Sequence, residues 1–398
     1  MIERREVPRA YGAGTPSLLK AINERTALEF IRLMGPVSRA EIARGTGMSK
    51  PTVSQALTEL ERSRLVRSAG RSFGKKGPTA ILYELNPRAG WVVGIDIGRA
   101  WVRAAIANLT GEIVSQREER TRVRSGQDLI SQIAEVAHAL AAEAGIKWRS
   151  VTVATVGSPG VFHPSEEKIE FAHALPGWGR KGLVGALQRE LGTKVALEND
   201  VNLAALGERW HGLAKEVSNF VYLHVGTGVG AGLVVNGELY RGTTGAAGEV
   251  GYLPLATADP KGRQSRRYGA LDVAARAAGV VATAKELGMK PPLNARKVFA
   301  AARRGDPVAL DVVALEANRI ALAVAAIASV IDPELVVLGG GVGSNGDLLL
   351  EPVERELKAL SPLRPRIEVS GLGQQATLHG AVFVALQAAQ DQLFARTA

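Results

Sequence analysis

The sequence predicts a small basic winged helix-turn-helix unit followed by a large α/β domain. Three observations predict this. Charge is concentrated at the front: residues 1–88 hold 16 Lys and Arg against 8 Asp and Glu, whereas the rest of the chain carries 33 against 31. Three helical patterns and two short strand patterns follow one another inside that basic segment. Behind it, apolar strand patterns alternate with amphipathic helices to the C-terminus, the signature of an α/β architecture.

The elements of the front segment can be read in order. Residues 17–34 place Leu18, Ile22, Leu28, Ile31 and Leu33 near helical spacing, and Gly35-Pro36 ends the run. Ser38 with Glu41 three residues on has the spacing of a capping box, and predicts a second helix over about Arg39 to Arg44. Ser49 then caps a third helix with Pro51 in its first turn, and Val53, Leu57 and Leu60 form its inner face. Ser49, Lys50, Thr52, Ser54 and Gln55 lie near its N-terminal end, the part that enters a major groove in helix-turn-helix proteins. Val66 to Leu85 reads as two strands around a Gly- and Lys-rich turn, a wing whose Arg71, Lys75 and Lys76 suit phosphate or minor-groove contact. A cationic module of this kind attracts double-stranded DNA by counterion release. The plainer alternative is a helical cap that serves only dimerisation.

Asn86-Pro87 marks the expected boundary, giving a DNA-binding domain over 1–86 and a second domain over 87–398. WVVGIDIG from Trp91 is a buried strand ending in a glycine turn, Gln127 to Ala144 an amphipathic helix, and VTVATVGSPG a further buried strand. In LENDVNLAALGERW (197–210), Glu198, Asn199, Asp200 and Asn202 cluster where a strand gives way to a helix, a rigid support for gripping hydroxyls. HVGTGVGAGLVVNGELYRG (224–242) is a glycine-rich hairpin whose second turn is Asn236-Gly237. VVLGGGV (336–342) is a late strand with its own glycine turn.

Bulk composition narrows the possibilities. At 398 residues the chain exceeds one typical domain, and 46% hydrophobic content suffices for full-sized cores. With no cysteine, disulfides, thiolate catalysis and Cys-based zinc sites are excluded. The N-terminus has no signal-peptide apolar region, and the longest apolar stretch, Ile320 to Ile331, reads as a buried helix too short for a bilayer. A soluble, cytoplasmic protein is the expectation, with no membrane partner. The histidines (138, 163, 173, 211, 224 and 379) show no metal-ligand spacing.

In order along the chain stand GIDIG (94–98), SPG (158–160), LPGW (175–178), ENDVNLAALGE (198–208), GTGVGAG (226–232), GEVG (248–251) and LGGGV (338–342). With these seven motifs the chain resembles the ROK family (repressors, open reading frames and sugar kinases) in its transcription-factor branch. The resemblance implies an actin-like, hexokinase-like pair of α/β lobes around a sugar cleft. Lobe 1 would span about 90–200 plus the C-terminal helix, and lobe 2 about 201–377. It further implies that Asn199 and Asp200 bind sugar, the aspartate being the general base in the kinases, and that Glu249 grips sugar hydroxyls. The family's histidine, a sugar and zinc ligand, is Tyr252 here.

Its cysteine motif falls on 263–272, where the three cysteines become Arg263, Ser265 and Ala270 and the final glutamate becomes Asp272, still a carboxylate for sugar. No metal and no cofactor are expected, and Arg263, Arg266 and Arg267 read as a basic loop. Ala174 takes the place of a frequent asparagine before LPGW. The kinases' DIGGT phosphate loop is Asp96-Ile97-Gly98-Arg99-Ala100, which inserts a long side chain and loses the hydroxyl. The resulting expectation is a repressor, dimeric or tetrameric, whose operator affinity responds to a small carbohydrate in a non-catalytic cleft. The alternatives are an active ATP-dependent sugar kinase that also binds DNA, a constitutive DNA-binding protein with a vestigial cleft, and a partner-docking module.

Overall fold

The computed structural model describes residues 16–72, 80–122, 125–163, 168–170, 172, 175, 177–256 and 259–397. It divides into two compact units. One comprises the chain up to Val92 together with 107–112 and the residues from Leu386 on, and the other Val93–Ile106 and Ile113–Ala385.

The first unit opens with α1 (Pro16–Met34), β1 (Val37–Ser38), α2 (Arg39–Thr46) and α3 (Lys50–Arg62), followed by β2 (Val66–Ser72) and β3 (Ala80–Leu85). The three strands form one sheet in the order β1-β3-β2, the wing. Ser38 and Glu41 complete the expected capping box, and Ser49 caps α3, its hydroxyl accepting from the Thr52 amide. Ala27, Leu28 and Ile31 of α1 meet Ile42, Val53, Leu57 and Leu60 in one core with Tyr83 of the wing. Two residues of the helical pattern read in α1 lie off its buried face: Ile22 is 49% and Leu33 64% exposed. The buried stripe runs through Ala21, Glu24, Leu28 and Ile31, at intervals of three and four, and these two fall beside it. The wing tip with Lys75 and Lys76 lies outside the described residues.

The second unit holds two five-stranded sheets. The first has the order β10-β7-β4-β5-β6. Its strands are β4 (Trp91–Ile97), β5 (Trp101–Asn108), β6 (Ile113–Arg120), β7 (Val151–Ser158) and β10 (Lys194–Asn199). α4 (Gly126–Glu143) precedes β7, and the short pair β8 (Val161–His163) and β9 (Lys168–Glu170) leads to α5 (Leu183–Leu191). α6 (Asp200–His211) follows β10 directly. Pairing of β10 with β7 is parallel, so the carboxyl ends of both strands reach the same edge: Asn199 stands opposite Ser158.

The second sheet has the order β13-β12-β11-β14-β15. β11 (Phe220–Val225), β12 (Val229–Val235) and β13 (Glu238–Tyr240) form the glycine-rich meander, with Asn236 and Gly237 both at positive φ as a two-residue hairpin turn demands. The short helices α7 (Arg263–Tyr268) and α8 (Ala270–Ala275) come next, so the expected basic loop is a helix: Arg263, Arg266 and Arg267 all lie in α7. Then follow α9 (Ala277–Glu286), α10 (Ala295–Arg303) and α11 (Pro307–Ile331), and β14 (Leu335–Gly339) with the single turn α12 (Gly340–Gly343). α13 (Gly346–Leu360), β15 (Arg366–Val369) and α14 (Ala376–Thr397) complete the chain. β11, β14 and β15 run parallel, whereas β12 and β13 are antiparallel additions.

The helix α11 has 25 residues, longer than the 320–331 stretch read from the sequence, and by length and composition it could cross a membrane. Its buried Val312, Val313, Ile320 and Val324 instead pack with Val221, Leu223, Val336 and Leu338 of the second sheet. Burying branched side chains contributes roughly 1.5–3 kcal/mol each, so this packing accounts for the helix's apolar character.

Candidate functional site

A cleft of about 560 Å³ opens in the second unit, and it gathers every residue expected to bind sugar. Asn199, Asp200, Glu249, Tyr252 and Asp272 all line it, together with Arg99, His224, Thr227, Gly228, Tyr268 and Arg276.

The END corner is built by backbone demand. β10 stops at Asn199, whose side-chain oxygen accepts from the amides of Val201 and Asn202 and so caps α6, while its amide group donates to the Gly160 carbonyl. One residue thereby starts the helix and ties it to the loop after β7. Glu198 steadies the corner: Oε1 accepts from the Asn199 amide and from Asn202 Nδ2, and Oε2 pairs with Arg241 at 2.8 Å. Trp178, fully buried, donates to Ser158 Oγ at 2.7 Å and braces the SPG loop from beneath. Ala174 lies outside the described residues.

Electrostatics single out Asp200. Burial, reinforced by the charge of Asp96 and then Glu249, pushes its carboxyl up to about 7. Asp96 at the end of β4 is itself raised to about 6 by burial, against the pull of Arg103 at 3.2 Å. Glu249 is raised by burial and by Asp272. His224 is pushed down to about 4 by burial and stands neutral in the cleft wall. Carboxyls held near neutrality are strong, switchable partners for hydroxyls, and are also the groups from which general bases are made.

Asp272 has a different setting. Its Oδ1 accepts from the Val229 amide at 2.8 Å and its Oδ2 from Arg276 Nη1 at 3.1 Å. The Tyr252 hydroxyl donates to the Arg267 carbonyl at 3.1 Å. Sequence reasoning missed Arg276 and Tyr268; the signal available was an arginine four residues after Asp272, one helical turn away on the same face.

The residues present do not fit zinc. Tetrahedral structural zinc needs thiolate or imidazole donors. The three cysteine positions hold an exposed cation, Arg263, a buried methyl, Ala270, and Ser265, whose hydroxyl is committed to the Asp259 carbonyl at 2.8 Å. Among the described residues no group of three or more His, Asp or Glu could hold a metal.

The nucleic-acid candidates sit on the first turns of α3. Ser49 and Thr52 are occupied with capping, their hydroxyls 2.7 Å apart, whereas Lys50 and Gln55 are exposed and Ser54 is half-buried. Arg71 is exposed on β2. Arg39 Nη2 donates to the Tyr83 hydroxyl at 2.6 Å and joins α2 to the wing, while Leu57 and Leu60 of α3 share a core with Tyr83.

Two five-stranded sheets with a polar cleft, preceded in the chain by a winged helix-turn-helix, define a ligand-cleft α/β protein carrying a DNA-binding head. The family comparisons agree: residues 92–388 match the ROK family model, and residues 21–72 match the MarR family model. The chain belongs to the ROK family. It is 26% identical over 388 residues to the xylose repressor of Caldicellulosiruptor bescii, covering 93% of this chain and 96% of that one. Over 304 residues it is 32% identical to a glucokinase of Halalkalibacterium halodurans, covering 72% of this chain and 91% of that one. A crystal structure of a ROK family transcriptional regulator, a homologue of the Escherichia coli MLC protein, superposes with a TM-score of 0.77 at 22% identity, covering 95% and 98% of the two chains. The fold is therefore that of ROK regulators, and the family includes both repressors and glucokinases.

Proposed function

We propose that this protein is a carbohydrate-responsive DNA-binding repressor whose kinase-like cleft senses rather than phosphorylates. One observation carries the reading: a capped helix α3 and a cleft lined by Asn199, Asp200 and Glu249 occur in one chain whose turn after β4 holds Arg99 and Ala100. Asn199, Asp200 and Glu249 hold the sugar, with Tyr252 beside them and Asp272 shaping the wall. Lys50, Gln55 and Ser54 read the major groove, Ser49 and Thr52 set the helix start, and Arg71, Lys75 and Lys76 contact the backbone from the wing. Residues 1–86 form the head and 87–398 the sensor, working in the cytoplasm as a homodimer or homotetramer on a symmetric operator. Similarity to a xylose repressor over 93% of the chain supports this over the alternatives.

The regulatory logic is linkage. A sugar that prefers one lobe arrangement changes operator affinity only by its differential affinity for the two states, and operator DNA must change sugar affinity by the same factor. The test is operator binding at increasing sugar. The reading fails if every sugar that binds leaves DNA affinity unchanged.

A second reading, sugar kinase, is favoured by one observation: Asp200 at about 7 has the proton affinity of a general base. Against it stands Arg99, which lines the cleft and takes the place of a glycine in the kinases' phosphate loop. Incubation with ATP, magnesium and a panel of hexoses and pentoses decides between them. Phosphorylated sugar identifies a kinase, and its absence with a sugar that binds identifies a sensor.

A further inference from the structure

The segment assigned by family resemblance to zinc carries arginines instead, and one of them, Arg267, together with Arg276 just beyond it, is placed on a single aromatic ring, Tyr268. The guanidinium carbon of Arg267 lies 5.0 Å from the centre of the Tyr268 ring, and that of Arg276 lies 4.9 Å from the same centre. Each separation is within the range over which a cation is attracted to a ring face. We propose that the ring of Tyr268, braced by these two guanidinium groups, does here what a metal would otherwise do: it locks Asp272, and through Asp272 the glycine hairpin of the cleft.

The connections run through three segments. Arg276 reaches Asp272 Oδ2 at 3.1 Å, so the cation resting on the ring is the one that holds the carboxylate. Asp272 Oδ1 takes the Val229 amide at 2.8 Å, fixing the first residue of β12 immediately after the Gly226–Gly228 turn. From the other side the Tyr252 hydroxyl donates to the Arg267 carbonyl, tying the GEVG turn to α7. Backbone packing is tight between these points: a Cβ at Gly269 would fall on the Gly251 carbonyl, and one at Gly251 would stand 2.7 Å from the Val229 carbonyl oxygen. Hairpin, turn and helices thus meet around Asp272 with no space for slack.

A tetrahedral metal cross-links segments by collecting lone pairs. Arginines offer none, and their charge repels a cation, so the two devices exclude each other. Tyr268 and Arg276 are therefore positioning residues that act through Asp272. The inference concerns the wall of the proposed carbohydrate cleft, but it holds whatever ligand the cleft takes.

Two measurements on the full-length protein test it without any ligand. In the first, the protein is incubated with zinc chloride, desalted and assayed for metal; retention well below about one zinc per chain is expected, and about one per chain overturns the proposal. The second is hydrogen–deuterium exchange over 226–231, which contains the Val229 amide. Tyr268→Leu is expected to speed exchange there about tenfold or more while leaving β7 (151–158) unchanged, and Tyr268→Phe, which keeps the ring, is expected to match the wild type. Unchanged exchange at 226–231 in Tyr268→Leu overturns it, as does an equal loss in Tyr268→Phe. Should Tyr268→Leu fail to fold, Arg276→Leu is read in the same way, since it removes both the ring contact and the hydrogen bond to Asp272. Because no sugar is used, failure here is separable from failure of the sensor reading, which the effect of sugar on operator affinity decides.

Discussion

At the scale of single residues, Asp200 concentrates the chemistry. Its carboxyl stands near 7 in the folded protein because burial and the nearby Asp96 disfavour the charged form, against 3.8 for the free side chain. Folding therefore favours the protonated group. Its stabilising contribution is complete below about pH 4 and is lost as pH rises through about 7. Asp200→Asn removes this dependence, so between pH 5 and pH 8 the variant should gain on the wild type by more than about 1 kcal/mol in urea unfolding; a constant difference would contradict the placement of Asp200. Ligand binding should run the opposite way. An ionised carboxylate accepts a sugar hydroxyl better than a protonated one, so sugar affinity should rise from pH 6 to pH 8 in calorimetry. In the head, Lys50→Ala should relax sequence preference at one operator position, as expected for a lost base contact, whereas a lost phosphate contact would weaken binding to all sequences alike and lower the salt slope by about one unit.

At the scale of elements, the start of a helix is where this sequence is easiest to read. Ser38 with Glu41 and Ser49 with Pro51 announce α2 and α3 because capping is local chemistry, settled by three or four residues. Ser49→Ala should cost about 1 kcal/mol of head stability, read by thermal unfolding of the full chain. Asn199 was legible for the same reason: a polar residue between an apolar strand and a helix caps it and faces the cleft at once. What could not be read depends on partners distant in sequence. The inward face of α1 runs through Ala21, Ala27, Leu28 and Ile31 rather than Ile22 and Leu33, and Ala27, Leu28 and Ile31 share a core with Val53, Leu57 and Leu60 of α3. The Arg267–Tyr268–Arg276 arrangement needed the turn at Gly269 to bring α7 against α8.

The crossing of α6 and α14 belongs to the same class. A Cβ on Gly380 would fall on the Leu203 carbonyl and one on Gly207 on the Ala376 carbonyl, so the two helices touch backbone to backbone. Gly380→Ala should therefore destabilise the second unit by roughly 1–3 kcal/mol in denaturant unfolding, and a neutral effect would contradict that contact. Since α6 begins at the proposed sugar site, the same substitution should also lower sugar affinity.

At the scale of the whole molecule, the fold and the family came readily from the order of the glycine motifs, since each marks a turn that the lobes require. Function is less legible because the same lobes serve catalysts and sensors alike. Here the proposed distinction rests on a few positions: Arg99 and Ala100 in place of the kinases' phosphate-loop residues, and Asn199 and Asp200 lining the cleft. Coupling between head and cleft is the central claim. Its most direct test is the affinity of the full-length protein for a duplex selected from random DNA, measured by fluorescence anisotropy with and without saturating xylose, glucose or N-acetylglucosamine. The account predicts that at least one sugar changes the dissociation constant about fivefold or more, equivalent to about 1 kcal/mol of coupling, with no phosphorylated product when ATP and magnesium are added. Unaltered DNA affinity in the presence of a sugar shown to bind, or turnover of that sugar to its phosphate, would contradict it.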